Sequence, residues 1–104
     1  MRDSIESIRV AVAQIAEANG AKLAILFGSY ARGTATAKSD VDLIFVEETE
    51  LPFLKRLDRY FDPLCDMLRA PVETLVYTPD EFELMKDRAF IKRAVEEGVT
   101  LYER

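Results

Sequence analysis

The sequence predicts an α/β fold in which one small sheet packs against helices, and three observations predict it. Helical and strand periodicities alternate along the chain, no repeat or low-complexity linker interrupts them, and 104 residues leave room for one compact domain spanning 1–104. Ile5, Ile8, Val12 and Ile15 recur at three- and four-residue steps, and Asp3 with Glu6 has the spacing of a capping box, so an amphipathic helix is expected first. Asn19-Gly20 supplies its left-handed stop. Lys22 to Phe27 reads as a buried strand that delivers the chain to a forced turn at Gly28, after which 29–33 can form one helical turn. Residues 34–39 hold no large apolar anchor and read as a loop.

Val41 to Val46 reads as a second strand, with Asp40, Asp42, Ile44 and Val46 on one face and Val41, Leu43 and Phe45 on the other. Pro52 suits the first turn of a helix that buries Leu54, Leu57 and Phe61, and Pro63 is expected to kink or end it, leaving 64–70 ambiguous. Val72 to Tyr77 reads as a third strand. Thr78-Pro79-Asp80-Glu81 then provides N-cap, N1 proline and capping-box glutamate for a helix to about Lys86. A last helix runs from Ala89 to Glu97 and ends at Gly98; Val99 to Tyr102 reads as an edge strand or a frayed tail.

Composition excludes several function classes. With 49% hydrophobic and 32% charged residues the chain can bury a core under a soluble surface. Fourteen basic against nineteen acidic residues give a net charge of −5, which disfavours broad coating of nucleic acid. Cys65 is the lone cysteine, so no intrachain disulfide can form. The opening Met1-Arg2-Asp3-Ser4 is polar, so neither a signal peptide nor a membrane span is expected, and a cytoplasmic location follows. The absence of histidine removes His-based zinc sites, Ser-His-Asp triads and Cys-His dyads. Chemistry must run on carboxylates, hydroxyls, Lys, Arg and backbone.

The constellation that carries chemistry is Gly28-Ser29-Tyr30-Ala31-Arg32-Gly33 followed by Ser39-Asp40-Val41-Asp42-Leu43. Residues two apart on a strand share a face with Cα atoms roughly 6.7 Å apart, so Asp40 and Asp42 can aim both carboxylates at one point. Like charges that converge must share a proton or recruit a cation, and hard oxygen ligands suit magnesium or manganese. If two metals sit about 4 Å apart, a third acid is needed. Glu73 is the candidate, since a neighbouring strand lies about 4.8 Å away. A strand ending at Gly28-Ser29 and entering a helical turn exposes backbone N–H groups and a hydroxyl that fit a triphosphate.

Each residue also has a structural reading. Gly28-Ser29 can be an ordinary strand-to-helix turn, Asp40 and Asp42 solvated residues at a strand entrance, and Glu73 a surface glutamate. Arg32 can bind phosphate, although bracing the loop against a nearby acid is the simpler role. Tyr30 and Lys38 are expected to face solvent, and Thr78 to Glu81 to be helix capping and not a site. The aspartates decide the balance, because aspartate is depleted in strands yet here alternates into an apolar run.

At these residues the chain resembles the minimal nucleotidyltransferases of the DNA polymerase beta superfamily, whose signature is Gly-Ser-x-x-Arg-Gly, then Ser or Thr with Asp-x-Asp. Gly28, Ser29, Arg32, Gly33, Ser39, Asp40 and Asp42 match it, and 71–79 looks like the family's third-acid strand. The resemblance implies a small mixed β-sheet flanked by helices, the polymerase-beta palm-like nucleotidyltransferase fold. Gly28 and Ser29, with Arg32 beside them, would hold the phosphates of ATP. Asp40 and Asp42 would ligate two Mg2+ ions, with Glu73 as the third catalytic acid and metal ligand. Glu73 stands where the family often has Asp, a methylene longer. The resemblance further implies transfer of AMP from ATP to a tyrosine hydroxyl of a helical HEPN-domain ribonuclease toxin, silenced by this chain as its antitoxin. Two other readings stand beside that one. The first is an inactive nucleotidyltransferase-fold module that neutralises its partner by complex formation. The second is a small-molecule nucleotidyltransferase whose acceptor site forms across a homodimer.

Overall fold

A computed structural model describes residues 3–104. Ten elements follow one another: α1 (Ile5–Asn19), β1 (Leu23–Phe27), α2 (Ser29–Arg32), β2 (Val41–Val46), a 3-10 turn (Phe53–Arg56), α3 (Asp58–Met67), β3 (Val72–Tyr77), α4 (Pro79–Met85), α5 (Ala89–Glu97) and β4 (Val99–Glu103). The strands form one mixed sheet in the order β3-β2-β1-β4. β1 pairs antiparallel with both β2 and β4, and β2 pairs parallel with β3. The last segment is therefore an edge strand and not a frayed tail.

The alternation read from β2 sorts the core onto the two faces of the sheet. Val41, Leu43 and Phe45 pack with Ile8, Val12 and Ala16 of α1 and Tyr60 and Leu64 of α3. Ile44 lies on the other face with Ile25, Tyr77 and, from α5, Ile91 and Ala94. Gly98 closes α5 against β1 for a steric reason. A Cβ there would overlap the Ala94 carbonyl oxygen and lie 2.8 Å from both Ile25 Cγ2 and the Leu26 oxygen.

Several expectations are corrected. The cap of α1 is Ser4, whose side chain accepts from the Ser7 N–H while Ser7 Oγ accepts from the Ser4 N–H, each at 3.0 Å. Asp3 is engaged elsewhere: its carboxylate accepts the N–H groups of Arg69 and Ala70 at 3.0 and 2.9 Å, fixing the turn that enters β3. Of the expected stripe of Leu54, Leu57 and Phe61, only Leu57 packs against the core. Pro52 starts a 3-10 turn, which shifts the helical phase, so Leu54 and Phe61 are exposed and Tyr60 and Leu64 are buried instead.

Pro63 neither ends nor displaces α3, which continues to Met67. Its missing N–H leaves the Arg59 carbonyl, four residues back, without a helical donor. Asn19 Nδ2 donates to that oxygen at 3.0 Å, so the end of α1 repairs the gap in α3. Tyr30, expected in solvent, is buried among the α1-side core, because one turn of helix after β1 turns its side chain inward. Thr78 and Glu81 form the predicted capping box.

Candidate active site

The site gathers at one end of the sheet, where β1 finishes and β2 and β3 begin. Phe27 at the end of β1 lies opposite Asp42 on β2, and Asp42 lies opposite Glu73 on β3. At the entrance of this register the Val41 N–H donates to the Pro71 carbonyl at 2.8 Å. Asp3 holds the 69–70 turn just before it. A residue at the start of the chain thus helps to place the third acid.

Asp42 and Glu73 are brought together, and the pairing is strained. The Asp42 carboxyl is pushed up to about 6 by burial first, then by a hydrogen bond with Glu73 and by the charges of Glu73 and Asp40, while Arg32 opposes the shift. The extra methylene of Glu73 leaves it within reach of Asp42. Asp40 lies just before β2, near enough for its charge to act on Asp42, but among the described residues no three acids already converge as a preformed metal cluster. The donors nevertheless fit a hard divalent cation. Two carboxylates from adjacent strands meet, a third stands beside them, and a cation would relieve the repulsion that now raises Asp42. Asp40, Asp42 and Glu73 would hold it.

Gly28 carries a constraint that its sequence position only half disclosed. Its φ is +76°, and a Cβ would overlap Asp42 Oδ2 and sit 3.3 Å from the carboxyl carbon. The glycine makes room for the acid as well as for an anion. Next to it begins α2, with Gly28 as its N-cap. The Ser29 carbonyl accepts from the Thr34 N–H at 2.9 Å, which closes the turn. Ser39 Oγ accepts from the Thr36 N–H at 2.8 Å and so tightens the loop that leads into Asp40. Arg32 forms no salt bridge among the described residues, although its charge acts on Asp42. It lines a cavity of about 260 Å³ with Gly28, Arg93 and Glu97.

Reasoning from sequence missed the aromatic and α5 contributions. Phe27 and Phe90 meet edge to face with centroids 5.6 Å apart and line both this cavity and a second one of about 630 Å³ that contains Asp42 and Glu73. Arg93 is a further cation at the first cavity, held by Glu97 at 2.6 Å. The helical stripe of α5 offered a signal, because Phe90 and Arg93 lie three residues apart and so share a face.

Converging carboxylates beside a Gly-Ser turn, on a mixed sheet backed by helices, define an enzyme that handles phosphates. The chain belongs to the nucleotidyltransferase domain family, whose model matches residues 5–101, and it is a nucleotidyltransferase. It is 32% identical over 85 residues to a predicted protein adenylyltransferase of Methanocaldococcus jannaschii, covering 78% of each chain. A toxin–antitoxin crystal structure with AMP-PNP shares the fold at a TM-score of 0.68 and 19% identity, over 96% of this chain and 75% of that one. A predicted nucleotidyltransferase from Sulfolobus solfataricus does so at 0.62 and 22%, over 95% and 79%. Among the described residues no helix is long and apolar enough to cross a membrane.

Proposed function

We propose that this nucleotidyltransferase is a Mg2+-dependent protein adenylyltransferase that moves AMP from ATP to a tyrosine hydroxyl of a partner protein. In this reading it acts in the cytoplasm as the antitoxin of a HEPN-domain ribonuclease toxin. The observation that carries the reading is the strained Asp42–Glu73 pair abutting Gly28, because acids that repel one another beside a phosphate-binding turn are arranged for a cation-bridged nucleotide. The relative in Methanocaldococcus jannaschii supports protein as the acceptor, and the AMP-PNP complex supports ATP and a toxin partner. A related toxin–antitoxin structure, MntA–HpeT, bears Asp-to-Glu changes at two positions two residues apart, the spacing of Asp40 and Asp42.

Gly28, Ser29 and the α2 N–H groups hold the triphosphate, and Arg32, which forms no salt bridge among the described residues, balances its charge. Mg2+, when bound, neutralises the phosphate oxygens and orients the α-phosphorus. Glu73 accepts the proton of the incoming phenol. The phenolate oxygen then bonds to the α-phosphorus as the bond to the bridging oxygen breaks, and pyrophosphate leaves with that electron pair. The test is incubation with ATP labelled at the α-phosphate and Mg2+, with and without the protein encoded beside this chain. Label should appear on a tyrosine of that neighbour and vanish with Asp40→Ala or Asp42→Ala. Tight complex formation without label would support the inactive module instead, and label on a small molecule would support the homodimeric alternative.

A further inference from the structure

Nucleotidyl transfer needs positive charge at two places. A cation on the acids serves the α-phosphorus, whereas the pyrophosphate end gains negative charge as its bond to that phosphorus breaks and needs donors of its own. Gly28 is where the two regions meet. A Cβ there would overlap Asp42 Oδ2, and the same residue lines the cavity of about 260 Å³ with Arg32 and Arg93. A phosphate chain that runs from the acids along the Gly28-Ser29 turn therefore reaches a cavity walled by two guanidinium groups.

Arg93 is well placed on its helix although its side chain is 77% exposed. Ile91 and Ala94 of α5 are buried on the sheet, Gly98 lets the helix end close to β1, and Phe90 meets Phe27 edge to face at 5.6 Å. Those contacts fix the backbone on both sides of Arg93. Its ion pair with Glu97 uses Nε, at 2.6 Å, which leaves the two terminal nitrogens of the fork for another acceptor. An exposed pair four residues apart adds little to helix stability, so holding α5 together does not call for an arginine in a cavity wall. With one acid against two guanidinium groups the charged lining is positive on balance, although the whole chain is acidic.

Building on the nucleotidyl-transfer reading, we propose that Arg93 binds the pyrophosphate end of the nucleotide together with Arg32, and so makes affinity depend on the β- and γ-phosphates. Nη1 and Nη2 donate to terminal phosphate oxygens while Glu97 keeps Nε. Adenine is the other group that this cavity has to be tested against, since Phe27 and Phe90 offer it aromatic surface. A neutral base gains much less than a polyanion from a second guanidinium.

The test is isothermal titration of the parent chain, Arg93→Ala and Lys92→Ala with Mg2+ and one of three probes: AMP-PNP, AMP or pyrophosphate. Lys92 is exposed on the same helix and lines neither cavity, so it controls for the loss of one positive charge. Arg93→Ala should weaken AMP-PNP and pyrophosphate about tenfold and leave AMP within about twofold of the parent. Lys92→Ala should change each probe by less than about twofold. Both variants should melt with the parent, because both side chains are exposed. Equal losses in the two variants, a loss for AMP as large as that for AMP-PNP, or pyrophosphate that does not bind the parent would overturn the proposal. The underlying reading is scored separately by NMR. Failure of AMP-PNP to perturb Gly28 and Ser29 counts against ATP as the donor, while the pyrophosphate arm still decides what Arg93 binds.

Discussion

The two ends of β2 each carry an acid, and the two acids live in opposite circumstances. At the far end Glu47 is 3% exposed, yet it receives the Tyr60 hydroxyl on one oxygen and the Arg59 guanidinium on the other. At the near end Asp42 is half-buried beside two more acids, and burial first, then those acids, hold its carboxyl up near 6. A buried carboxylate with complete partners ties α3 to the sheet. One that is crowded by its own kind makes sense only with something positive to come. The difference separates structure from function more sharply than burial does.

Removing each acid should therefore break different things. The largest effect is expected from Asp42→Ala, which should lower adenylyl transfer by at least about 1,000-fold while leaving the melting temperature no lower than that of the parent chain. A variant that loses activity only by unfolding would remove the contrast. Glu47→Ala should do the reverse. It strands the buried Tyr60 hydroxyl and unpairs Arg59, at a cost of about 3 kcal/mol, seen as a fall of roughly 12–24 °C in Tm, with transfer per folded molecule unchanged. Equal stability in Glu47→Ala and the parent would show the network to be ornamental.

Gly28→Ala sharpens the comparison from the end of β1, the strand beside Asp42. The methyl meets the Asp42 carboxylate and the backbone keeps φ near +76°, so alanine must displace the acid or strain the turn. Steady-state kinetics should show a 10- to 100-fold loss in kcat/KM together with about 1 kcal/mol of stability. Wild-type kinetics in this variant would mean that Asp42 has freedom to move away from the turn.

Much of this was legible from residue types and spacing. The acid pair, the Gly-Ser turn, the Thr78–Glu81 box and the choice of Glu73 as the third acid depend on local periodicity and on strand spacing, which a sequence displays. What escaped depends on contacts remote in sequence. Asp3 was read as a helix cap because Glu6 follows it, but Ser4 caps α1 and Asp3 binds a turn 66 residues away. Pro63 was read as a breaker because the Asn19 amide that satisfies the Arg59 carbonyl belongs to another helix. The α3 stripe was misplaced because a 3-10 turn changes the phase by an amount no heptad count reveals. Phe90 and Arg93 went unnoticed because their significance depends on α5 lying across the end of β1, beside Phe27 and Gly28.

The smallest expected effect is the most direct test of crowding at Asp42, because it can be measured without substrate. In the unfolded chain this carboxyl titrates near its ordinary 3.8, and in the folded chain near 6. Between those values the folded state holds the extra proton, so stability falls as pH rises through the window; the penalty is complete above about 6 and absent below about 3.8. Asp42→Asn removes the charge and keeps a donor toward Glu73. In metal-free buffer at pH 7 it should be more stable than the parent by about 1 kcal/mol, once solvent screening of a half-buried group is allowed for. The gap should close as the pH is lowered toward 4. Mg2+ with ATP should then reverse the order at pH 7, stabilising the parent and not the variant, because only the parent offers the carboxylate that the cation binds. A gap that stays constant from pH 4 to 8 would mean that neither burial nor its acidic neighbours raise Asp42, and the contrast between the two ends of β2 would fall with it.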